Sequence, residues 1–134
     1  MKFDQLKIIA VDFDGTIVKD AYPDIGKPIA FAFETLNMLQ EKGFRLILWT
    51  YRKGKRLDEA VKFCESKGIY FYAVNRSFPE EEFDGNMSRK IHADIFIDDR
   101  NIGGMLDWGK IYQMLTNQDL PKKDKRKGLF GFLK

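Results

Sequence analysis

Cysteine and histidine are almost absent: one of each stands among 134 residues. A lone Cys64 cannot close an internal disulfide, so the chain is not a disulfide-framed secreted domain, and a reducing cytoplasm fits. Cys64 falls on the apolar stripe of a helical segment and reads as a small buried hydrophobe. His92 has no second His or Cys to work with, and reads as surface or core filler. No stretch approaches the roughly 18 apolar residues of a membrane span. Met1-Lys2-Phe3-Asp4 lacks the apolar core of a signal peptide. No internal repeat is visible.

The length suffices for one domain with a real core, but not for two. A hydrophobic share of 44% and a charged share of 32% are those of a globular protein. The net charge of +3 is unevenly spread. Residues 122–134 carry six basic side chains (Lys122, Lys123, Lys125, Arg126, Lys127, Lys134) and one acid, Asp124. Residues 1–121 carry the other 17 basic and 19 acidic side chains, so the body is slightly acidic. That body offers no general nucleic-acid surface. The division expected is therefore a domain over 1–121 and a basic tail over 122–134. Leu129-Phe130-Gly131-Phe132-Leu133 ends the tail, and docking on an anionic partner or membrane surface is its alternative to a solvated end.

The chain is organised around Val11-Asp12-Phe13-Asp14-Gly15-Thr16. It follows Ile8-Ile9-Ala10-Val11, an apolar, β-branched run that suits a buried strand. Residues i and i+2 of an extended chain point the same way, roughly 6–7 Å apart. Asp12 and Asp14 thus lean together beyond the strand end. Taken alone, Asp14-Gly15 equally suits a hairpin turn. The spacing of a calcium loop is missing. A second acidic pair, Asp98-Asp99, closes another apolar run, Ile95-Phe96-Ile97, and two strands ending in acid favour a site over a turn.

Further elements follow in order. Lys7–Asp12 reads as the first strand and 16–26 as a loop or small flap. Lys27–Lys42 reads as a helix, with Pro28 in its first turn and Ile29, Phe33, Leu36 and Leu39 at helical spacing. Phe44–Trp49 is a central parallel strand ending in Thr50-Tyr51-Arg52. Arg56–Lys67 is a helix with Leu57, Ala60, Val61 and Cys64 on one stripe. Ile69–Val74 and Ala93–Ile97 are strands. Between them, 76–88 is a polar loop carrying Glu80, Glu81, Glu82 and Asp84, expected to face water and to be the segment that overhangs the site. A last helix runs from about Met105 or Leu106 to Leu115, with Leu106, Ile111, Met114 and Leu115 facing in. Alternating strands and helices imply an α/β fold with a parallel sheet covered on both faces. Ligands bind at the carboxyl ends of such strands, where Asp12, Asp14, Thr50, Asp98 and Asp99 converge.

The ordered set of motifs resembles the haloacid dehalogenase (HAD) superfamily. Asp12-Phe13-Asp14-Gly15-Thr16 is similar to its first motif, Thr50 to its second, Lys90 to its third and Asp98-Asp99 to its fourth. The resemblance covers residues 8–99. It implies a HAD-like Rossmannoid three-layer sandwich and a Mg²⁺-dependent phosphatase working through an aspartyl-phosphate. In that scheme Asp12 is the nucleophile and Asp14 the acid and base. Thr50 and Gly15 bind the phosphoryl group, with Tyr51 and Arg52 within reach of a substrate. Lys90, or its neighbour Arg89, neutralises charge. Asp12, Asp14 (through its backbone carbonyl) and Asp98 are the expected Mg²⁺ ligands, with Asp99 a further candidate. Only 12 residues separate Asp14 from Lys27, and 39 separate Thr50 from Lys90. Neither gap holds a folded cap, so a capless, open site is expected. Its substrate is a phosphorylated small molecule or macromolecule, and a homo-oligomer is one way to close it. A nucleotide or nucleic-acid-end phosphatase is the alternative enzyme, and a non-catalytic phospho-binding module is the alternative of another class.

Overall fold

The computed structural model describes residues 8–116. Lys7 and the tail over 122–134 lie outside them. Four strands form one all-parallel sheet: β1 (Ile8–Val11), β2 (Arg45–Leu48), β3 (Ala73–Val74) and β4 (Ile95–Ile97), in the order β3-β2-β1-β4. Among the described residues three helices accompany them: α1 (Ala32–Glu41), α2 (Gly54–Ser66) and α3 (Trp108–Thr116). No helix among the described residues is long and apolar enough to cross a membrane.

The register puts the strand ends level. Val11 pairs with Leu48 on one side and with Ile97 on the other. The residues that follow, Asp12, Trp49 and Asp98, therefore leave the sheet at one edge. β1 sits between two partners and is buried after its first residue, which explains its unbroken apolar sequence.

Side chains alternate between the two faces of a strand. Ile9, Val11, Leu46 and Leu48 share one core cluster with Phe33, Leu36 and Leu39 of α1, Ala60 and Cys64 of α2, and Trp108, Ile111 and Leu115 of α3. The helices thus collect on that face. The other face presents Ala10, Ile47 and Ala73, and Ile91 of the irregular segment before β4 packs onto it. Both faces are covered, one by helices and the other by irregular chain. The crossover from β3 to β4 carries no helix among its residues.

Several sequence expectations shift. The helix expected from Lys27 begins at Ala32. Residues 27–29 are instead extended: Lys19 N–H donates to Lys27 O (2.8 Å), and Ile29 N–H donates to Ile17 O (2.9 Å). Val18 bridges antiparallel to Pro28, so Pro28 belongs to a flap rather than to a first helical turn. Phe31, just before α1, takes a left-handed φ of 67°. The strand expected over Ile69–Val74 pairs only at Ala73–Val74. In the last helix Ile111 and Leu115 face in as expected, but Leu106 and Met114 are exposed, and the helix starts at Trp108. Glu81 is buried rather than facing water: its Oε1 accepts the Ser77 N–H (2.7 Å). Cys64 is fully buried, and burial pushes its thiol up to about 12, which removes the thiolate a nucleophile needs.

Candidate functional site

Asp12 and Asp98 follow β1 and β4 directly, and Asp99 comes next. One carboxylate oxygen from each of Asp12, Asp98 and Asp99 lies within 4.8 Å of the other two. Three acids so close repel one another unless a proton or a cation stands between them. The Asp12 carboxyl shows it: burial first, then the Asp98 charge, push its pKa up to about 7. The donor set is all oxygen, the kind that suits a hard divalent cation such as Mg²⁺.

Thr16 organises the cluster. Its Oγ1 lies 3.0 Å from Asp12 Oδ2 and 3.3 Å from Asp99 Oδ1, sharing one proton between them, and accepts the Asp99 N–H (3.0 Å). Thr16 is fully buried, and its carbonyl accepts from Trp108 Nε1 (3.0 Å). Gly15 explains the glycine of the turn. Its φ is 87°, and a Cβ there would stand 2.5 Å from Asp99 Oδ2. The turn is closed by Gly15 N–H donating to Val18 O (2.7 Å). On the other side, the Asp98 carboxylate accepts the Arg100 N–H (2.9 Å), and the Asn101 amide donates to the Asp98 carbonyl.

The Asp14 side chain turns away from this cluster. Both of its oxygens accept from Arg52, Nε to Oδ2 at 2.8 Å and Nη2 to Oδ1 at 2.7 Å. Arg52 is 1% exposed. It also donates to the carbonyls of Pro23 (3.1 Å), Asp24 (2.7 Å) and Arg56 (3.3 Å), and its guanidinium lies over the rings of Phe13 and Tyr22. Arg52 thus ties Asp14 to the flap and to α2, and its burial takes it out of a substrate's reach. The Asp14 carboxylate does not join the carboxylate cluster; the ligand expected of it was its backbone carbonyl.

Thr50 sits at the end of β2. Its N–H donates to Asn75 Oδ1 (2.8 Å), and its hydroxyl accepts the Arg52 N–H (3.2 Å), which leaves the hydroxyl proton to donate. Asn75, in a left-handed conformation at φ 55°, also donates to the Arg52 carbonyl (3.3 Å). A cleft of about 670 Å³ opens over these groups. Asp12, Asp14, Thr50 and Asp98 line it together with Asp20, Tyr22, Trp49, Tyr51 and Arg100. The flap therefore overhangs the site, and the 76–88 loop contributes nothing to the wall among the described residues. Lys90 and Arg89 are exposed and lie outside the wall, where Arg100 is the one cation among the described residues.

A solved structure, described as that of a conserved protein coded by a locus of Bacteroides thetaiotaomicron, is similar to this chain. It is 54% identical in sequence with a TM-score of 0.79, over 84% of this chain and 92% of that one. This chain belongs to the family of that Bacteroides thetaiotaomicron protein. No protein-family model and no curated protein matches the chain.

Sequence reasoning placed this family member's acids at the strand ends but missed four residues of the site. Thr16 was visible as the last letter of its motif, with nothing to show that its hydroxyl faces Asp99. Asn75 follows an apolar run, and Asn is a residue that tolerates left-handed turns, which was a usable signal. Asp20 and Tyr22 carried none.

Proposed function

We propose that this protein is a capless phosphomonoester hydrolase of the HAD type, acting through an aspartyl-phosphate on Asp12 with Mg²⁺ at the carboxylate cluster. The observation that carries the proposal is the meeting of Asp12, Asp98 and Asp99 oxygens within 4.8 Å, with Asp12 and Asp98 lining a cleft that Thr50 and Arg100 also line. Packing alone gives no reason to gather three partly buried acids at strand ends.

Asp12, Asp98 and Asp99 would hold the cation, which supplies positive charge to offset the carboxylates and the phosphoryl oxygens. An Asp12 oxygen attacks phosphorus in line, and the bond from phosphorus to the ester oxygen breaks. Asp14 serves as the general acid that gives a proton to the leaving oxygen. Water then attacks phosphorus, its proton returns to Asp14, and inorganic phosphate leaves with Asp12 restored. The Thr50 hydroxyl donates to a phosphoryl oxygen, and Arg100 balances charge at the wall. For these transfers Asp14 must turn from Arg52 towards the leaving oxygen, so opening of the Arg52 clamp belongs to the cycle.

Phosphate release from an aryl phosphate, with Mg²⁺ and with EDTA, tests the proposal in wild type and Asp12→Asn. Release that needs both Mg²⁺ and Asp12 supports it. Release that survives in Asp12→Asn refutes the assignment of the nucleophile. No release together with no thermal stabilisation by beryllofluoride favours a non-catalytic role.

A further inference from the structure

The outer wall of the cleft carries aromatic surface that phosphoryl chemistry does not use. Tyr51 is 93% exposed although it lies between half-buried Thr50 and buried Arg52. Tyr22, on the flap, is 51% exposed. Its ring is held in place, because the Arg52 guanidinium lies 5.2 Å from the ring centre and also binds the carbonyls of Pro23 and Asp24. Both rings line the cleft that holds Asp12 and Asp98, and Trp49 lines it too. Large aromatic side chains kept in water at the mouth of a polar cleft mark a ligand contact. Aromatic faces stack well on nucleobases.

The polar groups of the wall fit the same ligand. Arg100 suits a phosphate, and Asp20, an acceptor beside Tyr22, suits a sugar hydroxyl or an exocyclic amine. The acids of the wall and the slightly acidic body disfavour a polyanion continuing past the site. A volume of about 670 Å³ accommodates one nucleotide.

We infer, building on the phosphatase reading above, that the cleft takes a nucleoside monophosphate, with its phosphate at the carboxylate end and its base against Tyr51 and Tyr22. The leaving group is then a nucleoside.

The test compares kcat/KM, with Mg²⁺, for adenosine 5′-monophosphate, glucose 6-phosphate and glycerol 3-phosphate. A preference of tenfold or more for the nucleotide is expected. Tyr51→Ala should cut that preference by about tenfold, the effect of losing one base–aromatic stack, and Tyr51→Trp should keep it. Tyr51 is exposed, so neither substitution threatens folding. Equal turnover of the three esters would overturn the inference and leave the phosphatase reading intact. So would a 5′-phosphorylated oligonucleotide turned over tenfold better than the mononucleotide, which would point to nucleic-acid ends. If none of the esters is turned over, calorimetric binding of the same compounds decides the inference separately from the phosphatase reading. Nucleotide binding that is tenfold tighter than sugar phosphate binding and weakened in Tyr51→Ala supports it; equal or absent binding overturns it.

Discussion

Arg52 grips both carboxylate oxygens of Asp14 from 38 residues away, at 2.8 and 2.7 Å. The guanidinium side chain is fully buried, and that of Asp14 is 16% exposed. Five donors on a planar fork satisfy two carboxylate oxygens and three carbonyls at once, which a lysine cannot do. Asp14 in turn holds Arg52 ionised, raising its pKa against the opposing effect of burial.

Loss of this clamp is expected to cost stability. Arg52→Met leaves a part-buried carboxylate and three carbonyls without their donor, a loss of about 3–5 kcal/mol by analogy with broken buried ion pairs. Arg52→Lys should recover only part of it. Urea unfolding of the wild type and both variants measures this, and a change below about 1 kcal/mol for Arg52→Met would show that the clamp is not structural.

Gly15→Ala is the sharpest steric test of the cluster. The new methyl would meet Asp99 Oδ2 at 2.5 Å on a backbone with φ 87°. Strain of about 1–3 kcal/mol is expected, along with displacement of Asp99. The expected result is a lower melting temperature and a weakened response to Mg²⁺. Full retention of Mg²⁺-induced stabilisation would show that the cluster tolerates Asp99 moving.

Asp12 sets a pH dependence for the metal-free protein. Its carboxyl has a folded pKa of about 7 against an ordinary 3.8. The folded state therefore holds the proton more tightly than the unfolded state. That contribution is complete below the ordinary pKa and is lost as pH rises through about 7. Metal-free protein should lose stability between pH 4 and pH 8, and Asp12→Asn should flatten the profile. Mg²⁺ should stabilise more at pH 8 than at pH 5, because it competes with the proton for the same oxygens. Melting curves across that pH range, with and without Mg²⁺, check the sign. A larger Mg²⁺ effect at pH 5 would contradict the cluster as the binding site.

The sheet and the site acids were legible because buried parallel strands are continuous apolar runs, and these runs stop at Asp12, Thr50 and Asp98. The start of α1 was not. Pro28 is compatible with a first helical turn and equally with an extended edge, and only the pairing of 27–29 with 17–19 decides. Nor was the fate of Arg52 legible: a charged residue after a strand reads as exposed, and its burial depends on Asp14, Pro23 and Asp24 arriving from elsewhere in the chain. The overhang was misassigned for a related reason. The expectation fell on the polar loop 76–88, but the flap reaches the cleft, held by Arg52 and by its pairing with 27–29.

The most direct test of the account is chemical identification of the phosphorylated residue. A phosphoester mixed with the Mg²⁺-loaded protein is acid-quenched within one turnover, reduced with borohydride and digested for mass spectrometry. Reduction converts an aspartyl-phosphate to homoserine. The account predicts homoserine at position 12 in the wild type, and none in Asp12→Asn. Turnover with no modified carboxylate, or with the label at Asp14, Asp98 or Asp99, would contradict it.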